Sequence, residues 1–262
     1  MQSGAIRPIP NMLPRQLFTS EHEAFRETVR KFYEKEVVPN IEKYEQQQHV
    51  DRDLWNKAGE LGLLCSTMPE QYGGSGVDRL YSMILIEEQA YAMDSSTGFS
   101  LHSDIVANYI NNFGNEAQKQ QWLPKMATGE TVTAIAMTEP GTGSDLQAVR
   151  TTAVSDGDDY VINGSKIFIT NGYLCDMAIV VCKTGDNEKG SANLSLLIVE
   201  ANRAGFSKGK PLNKIGMKGQ DTCELFFDNV RVPKENLLGM EGMGFMMLMK
   251  ELAWERMIVA II

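Results

Sequence analysis

The carboxyl-terminal stretch of the chain carries one carboxylate in an otherwise apolar stripe. At about 3.6 residues per turn, Leu248, Leu252, Glu255, Val259 and Ile262 fall on one side of a helix, and only Glu255 among them is polar. A carboxylate set among such neighbours is desolvated, its pKa rises, and it becomes a usable base near neutral pH. The same glutamate at the edge of the stripe, wet or paired with a cation, would be structural. Upstream lies Thr138-Glu-Pro-Gly-Thr-Gly-Ser-Asp145, where a proline and two glycines force a tight turn with free backbone amides. Thr138, Thr142 and Ser144 add hydroxyls, and such a loop suits a polar, phosphate-bearing or ring-bearing cofactor. It is not a dinucleotide-binding fingerprint, because Leu146 stands where the third glycine belongs, and no Gly-Lys-Ser/Thr follows. Taken alone, a Gly/Pro turn closed by an Asp cap explains it more often than a ligand does. In Lys166-Ile-Phe-Ile-Thr-Asn-Gly172 the side chains of Phe168 and Thr170 alternate onto one strand face. An aromatic plane beside a hydroxyl can flank a flat heterocycle, although a core Phe and an edge Thr are commoner.

Composition removes several classes of function. A net charge of −9, from 25 Lys plus Arg against 34 Asp plus Glu, disfavours nucleic acid as the main partner. Anionic small ligands stay possible at helix ends and backbone nests. The longest uninterrupted aliphatic stretch, Met257 to Ile262, falls far short of the roughly 18 residues a membrane span needs. Four scattered cysteines (Cys65, Cys175, Cys182, Cys223) and three scattered histidines (His22, His49, His102) give neither a disulfide framework nor a metal site. A reducing compartment is the natural home. Met1 to Leu17 does not read as a secretory signal and is weak as a transit peptide.

These residues need elements to hold them. From about Ser20 to Gly129 the pattern is helical: Ser20 with Glu23 reads as a capping box, and helices are expected over Leu54–Leu63, Leu80–Met93 and Leu101–Phe113. Asn115 with Gln118 caps a further one. From Thr131 to Pro233 the texture is β, with strands expected at Thr133–Thr138, Thr151–Val154, Tyr160–Ile162, Lys166–Thr170, Ala178–Lys183, Leu194–Val199 and Cys223–Phe227. Asn163-Gly164 is the strongest hairpin signal, and short strands so spaced suggest a small barrel or sandwich. Helix resumes after Gly239. The expected class is α+β: an amino-terminal α-helical domain over 1–130, a middle β domain over 131–238, and over 239–262 the first helix of a carboxyl-terminal helical domain. Ending in Val-Ala-Ile-Ile without a cap, that last domain reads either as lacking its remainder or as packing into its own core or a partner's.

Three separated motifs together resemble the acyl-CoA dehydrogenase family: Thr138-Glu-Pro-Gly-Thr-Gly-Ser-Asp145, Asn163-Gly-Ser-Lys-Ile-Phe-Ile-Thr-Asn-Gly172 and Asp221-Thr-Cys-Glu-Leu-Phe-Phe-Asp228. Glu70-Gln-Tyr-Gly-Gly74 and Gly129-Glu130 extend the likeness, which runs from about Phe18 to the end. Ser100-Leu-His-Ser-Asp-Ile-Val106 and Lys250-Glu-Leu-Ala-Trp-Glu-Arg256 are most similar to the long-chain branch. The resemblance implies bound FAD and oxidation of a fatty acyl-CoA to the trans-2-enoyl-CoA. It also implies an electron-transferring flavoprotein as acceptor, a homotetramer, and a home in the bacterial cytoplasm or mitochondrial matrix. By correspondence, Ile135, Ala136, Met137, Thr138, Gly141, Thr142, Gly143 and Ser144 line the flavin, and Ser144 also touches CoA. Phe168, Ile169 and Thr170 cover the other flavin face, with Phe168 standing where many relatives carry Trp. Most members take their base from a later helical domain; the long-chain and isovaleryl branches use a Glu followed by Arg, which Glu255-Arg256 matches. Arg256 and Met246 then line the substrate site.

Two other readings stay open: a truncated, catalytically incompetent member acting as a fragment or interaction protein, and an acyl-CoA oxidase that hands electrons to oxygen. Five of the fifteen methionines lie in Met243–Met257, as an adaptable acyl pocket or as core filler. Lys208, Lys210, Lys214 and Lys218 read mostly as a solvated basic loop, Glu87 and Glu88 as exposed or salt-bridged, and His102 as structural.

Overall fold

A computed structural model describes residues 15–185 and 193–262, so most of the leader question over residues 1–17 lies outside the described residues. Helix α1 (Ser20–Phe32) begins one residue earlier than the sequence suggests. Thr19, not Ser20, is the cap: its Oγ1 accepts from His22 N–H, and the His22 ring accepts from Thr19 N–H. A histidine ring thus does the work expected of Glu23. After a π-helical turn (Tyr33–Val37), the chain forms α2 (Ile41–Gln47), α3 (Arg52–Glu60) and α4 (Leu80–Tyr91). The segment expected as one helix over Leu101–Phe113 is a π-helical turn (Leu101–Val106) continuing into α5 (Ala107–Phe113). Asn115 and Gln118 do form a reciprocal capping box, opening α6 (Glu116–Ala127). Helices α1 and α4 are tied by charge: Arg26 and Arg30 both donate to the buried Glu88 carboxylate, matching the salt-bridged expectation for Glu88.

Among the described residues eight strands follow: β1 (Thr133–Ala136), β2 (Thr152–Asp156), β3 (Asp159–Thr170), β4 (Met177–Thr184), β5 (Leu194–Glu200), β6 (Phe206–Lys208), β7 (Thr222–Pro233) and β8 (Leu237–Leu238). The order is β6-β7-β3-β2-β4-β5-β8, with β1 parallel to β4. Side chains from β3 and β7 (Ile162, Ile169, Leu225, Val232) share one buried cluster with those of β4 and β5 (Ala178, Val180, Leu197, Val199). The sheet therefore curls over an interior of its own. The other face of β4 and β5 (Met177, Ile179, Val181, Leu196, Ile198) packs on the helices with Tyr109, Ile110 and Leu123. Both faces of β4 are covered, which is why it reads as a continuous apolar run.

The Asn163-Gly164 hairpin is not formed. Residues 159–170 make one long strand paired to β7, and Asn163-Gly164 sits at a register shift inside it. A side chain at Gly164 would meet Thr151 at 2.4 Å, so this glycine serves close strand approach rather than a turn. The hairpin falls instead between β2 and β3, with Gly157 at φ +61°. Helix α7 (Gly244–Ile261) closes the described structure, and its buried residues are Gly244, Met247, Leu248, Glu251 and Ile258. The stripe expected from sequence is rotated: Val259 is 69% and Ile262 56% exposed.

Candidate active site

Strand β1 runs into the Thr138–Asp145 turn. Ile135 and Ala136 are buried on the strand, Met137 and Thr138 half-buried, and Gly141, Gly143 and Ser144 exposed. At Gly141 and Gly143 no atom lies within 4 Å of where a side chain would stand, so this part of the turn borders open space. Thr142 differs: its hydroxyl donates to the Ala148 carbonyl, and its backbone exchanges hydrogen bonds with Glu139. That hydroxyl holds the loop and has no donor left for a ligand. Asp145 caps the short turn after it, accepting from Gln147 N–H.

Ion pairing inside the sheet fixes this loop. Lys166 on β3 is fully buried, and its Nζ donates to the Glu139 carboxylate at 2.9 Å and to the Met137 carbonyl at 3.1 Å. Glu139 also accepts from the amides of Arg150 and Thr151 and from the Thr151 hydroxyl. Burial pushes the Glu139 carboxyl up, but the Lys166 charge and these donors outweigh it and hold it below the usual carboxylate range. Glu139 and Lys166 both lie in motifs picked out from sequence, but no local pattern pairs them, because their meeting depends on how the loop after β1 lies against β3.

The next strand position links loop to aromatic. Ile167 N–H donates to the Thr138 carbonyl at 2.9 Å, so Phe168 stands beside the turn. A register shift between Lys166 and Ile169 turns both of those inward, and leaves Phe168 outward at φ +60° and 63% exposed. Thr170 is half-buried and Ile169 buried. A large ring held outward in left-handed backbone conformation is not ordinary core. The Thr138 loop and the Phe168 face are thus brought together.

Glu255 projects from α7 toward α5 and is half-buried. Its Oε1 accepts from the Tyr109 hydroxyl at 2.6 Å. Burial raises its carboxyl above the ordinary value, Tyr109 draws it back, and Glu251 adds to the rise. Glu251, one helical turn earlier, is buried and accepts from Asn112 Nδ2 at 2.9 Å. Tyr109, Asn112 and Glu251 escaped the sequence reading; the four-residue spacing of Glu251 and Glu255 was the available signal. Tyr109 and Leu248 share one apolar cluster with Ile135 of β1, the strand leading to the loop.

Arg256 is exposed. Met246 is 57% exposed, and nine residues at about 100° each set it on the opposite side of the helix from Glu255. It lines a separate hollow of about 330 Å³ with Phe113, Met240, Met243, Met247 and Lys250. His102 is structural as expected: buried, it donates to the Met126 carbonyl and accepts from Thr133, and burial drives its pKa down to about 4. Two of the four loop lysines are anchored rather than free, Lys208 on the carbonyls of Tyr173 and Cys175 and Lys214 on that of Gln220. Among the described residues no His/Cys/Asp/Glu group could hold a metal ion, and no helix is long and apolar enough to cross a membrane.

Comparison with known proteins matches this layout. Residues 19–130 match the acyl-CoA dehydrogenase N-terminal domain, and residues 134–230 the acyl-CoA dehydrogenase middle domain. The chain belongs to the acyl-CoA dehydrogenase family. It is 52% identical over 261 residues to a mitochondrial long-chain specific acyl-CoA dehydrogenase of Rattus norvegicus, covering 99% of this chain and 61% of that protein. An acyl-CoA dehydrogenase from Geobacillus kaustophilus superposes with a TM-score of 0.92 at 48% identity, over 95% of this chain and 66% of that one. An acyl-CoA dehydrogenase of Bacillus anthracis, complexed with FAD, superposes at 0.86 with 37% identity, over 95% of this chain and 43% of that one. The chain therefore spans about 61% of the length of the long-chain relative.

Proposed function

We propose that this chain carries the flavin and base side of an FAD-dependent acyl-CoA dehydrogenase that desaturates a long-chain fatty acyl-CoA to the trans-2-enoyl-CoA. Glu255 carries the reading: a half-buried carboxylate with a raised pKa, on a helix packed against the core that also seats β1. The residues fit FAD through the exposed Gly141–Gly143 turn, with room around its glycines, and the outward Phe168 ring next to Thr138. Thr138 and Ser144 supply further polar contacts, Ile135 to Met137 and Ile169 to Thr170 complete the flavin walls, and Ser144 and Arg256 face the substrate, whereas Met246, on the far side of α7 from Glu255, lines a separate hollow. When bound, FAD supplies the acceptor for the hydride leaving C3.

Glu255 removes the C2 proton: the C2–H bond breaks, the carboxylate gains an O–H, and the freed electron pair, carried through the enolate-like thioester, becomes the C2–C3 double bond as hydride leaves C3. Its raised pKa makes it a stronger base than an ordinary glutamate. An electron-transferring flavoprotein takes the electrons onward, and the working enzyme is a homotetramer in mitochondrial matrix or bacterial cytoplasm. The test is the visible spectrum of anaerobic flavin-loaded protein on adding a long-chain acyl-CoA. Bleaching is expected in the wild type, with Glu255→Gln at least 10³-fold slower while flavin and ligand still bind. Bleaching of the Gln variant at the wild-type rate would remove Glu255 from the chemistry.

The exposed apolar side chains on α7, among them Met257 and Val259, favour one second reading, an interaction protein without turnover. Colourless protein that aggregates would support it. Hydrogen peroxide formed without any flavoprotein acceptor would instead mark an oxidase.

A further inference from the structure

The reading of Glu255 as base leaves open what aims it. A glutamate carries three side-chain torsions, and a half-buried one is not held by packing alone. Across from it, α5 places Tyr109 and Asn112 on one face, three residues apart, and α7 places Glu255 and Glu251 four residues apart opposite them. The two helices run antiparallel and meet in two rungs, Tyr109 with Glu255 and Asn112 with Glu251. In the first rung a phenol donates to a carboxylate oxygen at 2.6 Å, the range of a charge-assisted bond. The second, at 2.9 Å, engages a neutral amide.

Tyr109 is well placed to impose geometry. It is fully buried in the cluster with Ile135 and Leu248, and its ring stands 6.0 Å from that of Phe113. A ring locked in a core cannot follow a wandering carboxylate, so the carboxylate must come to it. We propose that Tyr109 is the positioning residue for Glu255: by occupying Oε1 it fixes the side-chain rotamer and leaves Oε2 as the oxygen that takes the substrate proton. Asn112 does the corresponding work on Glu251, holding that second carboxyl one turn away from the reacting oxygen.

The charged and titratable groups around Glu255 allow a signed expectation. Glu251 faces it along α7 and Tyr109 from α5. The π-helical turn contributes Asp104, whose carbonyl accepts from Trp254, and the start of α4 contributes Arg79, 3.9 Å over the Trp254 ring. Only Tyr109 donates directly to Glu255 among the described residues. A donor to the carboxylate favours its charged form, so removing it moves the titration to higher pH.

The experiment uses flavin-loaded full-length protein and its Tyr109→Phe variant. Flavin bleaching by anaerobic long-chain acyl-CoA is followed from pH 5.5 to 9. The rising limb is expected to move alkaline by about one unit and the plateau rate to fall about 10-fold, with acyl-CoA affinity within about twofold. A second readout is independent of turnover: 13C NMR of protein labelled at the Glu carboxyl carbon, the Glu255 signal being assigned by its loss in Glu255→Gln. Its midpoint moves up in Tyr109→Phe. Site-specific 3-fluorotyrosine at position 109, a stronger donor of nearly the same shape, moves it down, and serves if the Phe variant fails to fold. Unmoved midpoints in a folded protein, with any rate loss uniform across pH, would reduce Tyr109 to packing and overturn the proposal. If Glu255→Gln bleaches normally, the base assignment fails, while the NMR midpoints still decide whether Tyr109 governs the carboxylate.

Discussion

Lys166 shows what a single buried charge does for this site. It is fully buried, and its ammonium is matched by one carboxylate and one carbonyl. Replacing Lys166 with Met keeps the volume but leaves Glu139 buried without its cation, at a cost of about 3–5 kcal/mol. Because Glu139 anchors the loop that carries the exposed Gly141 and Gly143, flavin occupancy should fall together with stability. Denaturant unfolding and the ratio of visible to ultraviolet absorbance measure both. A stable Lys166→Met protein with full flavin occupancy would show that the clamp does not shape the loop. Nothing in Lys166-Ile-Phe-Ile-Thr marks the lysine as buried: on an alternating strand it reads as a solvent position. The register shift next to Phe168, which only pairing with β7 reveals, turns it inward.

At the scale of elements, the α1–α4 contact rests on charge as much as on apolar area. Glu88 is nearly inaccessible and accepts from Arg26 Nη1 and, side-on, from Arg30 Nε and Nη2. Glu88→Met should destabilise the protein by about 3 kcal/mol, since Arg26 remains buried with only the more exposed Glu87 and Glu23 as partners. A loss below about 0.5 kcal/mol in urea unfolding would mean water reaches these arginines. The adjacent Glu87 and Glu88 read from sequence as exposed or salt-bridged, and which of the pair lies inward depends on helix α1 arriving with its arginines. Helix α7 makes the same point more sharply. Its residues are apolar on nearly every side, so periodicity could not choose the buried stripe. The expected stripe through Leu252 and Val259 misses the real one through Met247, Glu251 and Ile258 by part of a turn, although Glu255 is half-buried on either.

Over the whole molecule, two buried titratable groups on the π-helical turn oppose each other with pH. Burial lifts Asp104 to about 7, only partly offset by the Ser82 hydroxyl and the Arg79 charge. The unfolded carboxyl titrates near about 3.9, so the folded state holds the extra proton between these values. Stability from this group is complete below about pH 4 and is lost as pH rises to about 7. His102, neutral in the fold with its pKa near 4, works in reverse: stability is lost as pH falls below the ordinary value toward 4. In Asp104→Asn the first component disappears. Its stability relative to wild type should climb by roughly 1 kcal/mol per pH unit between 4 and 7 and level off above. Denaturant midpoints from pH 4 to 8 would follow it; parallel curves would place Asp104 as an ordinary ionised carboxylate.

By itself the sequence determined the class of each region, the Asn115–Gln118 cap, the exposed glycine loop after Thr138 and the family those motifs belong to. These are short-range properties, set by neighbours a few residues apart and by the chemistry of the turn. Only the tertiary structure decided which face of α7 is buried, that Asn163-Gly164 lies inside a strand, and that Lys166 points inward. It alone brought Tyr109 to Glu255 across 146 residues of chain. Each of these depends on strand register or helix rotation against a distant partner, and no local pattern fixes a contact whose other half lies elsewhere in the chain.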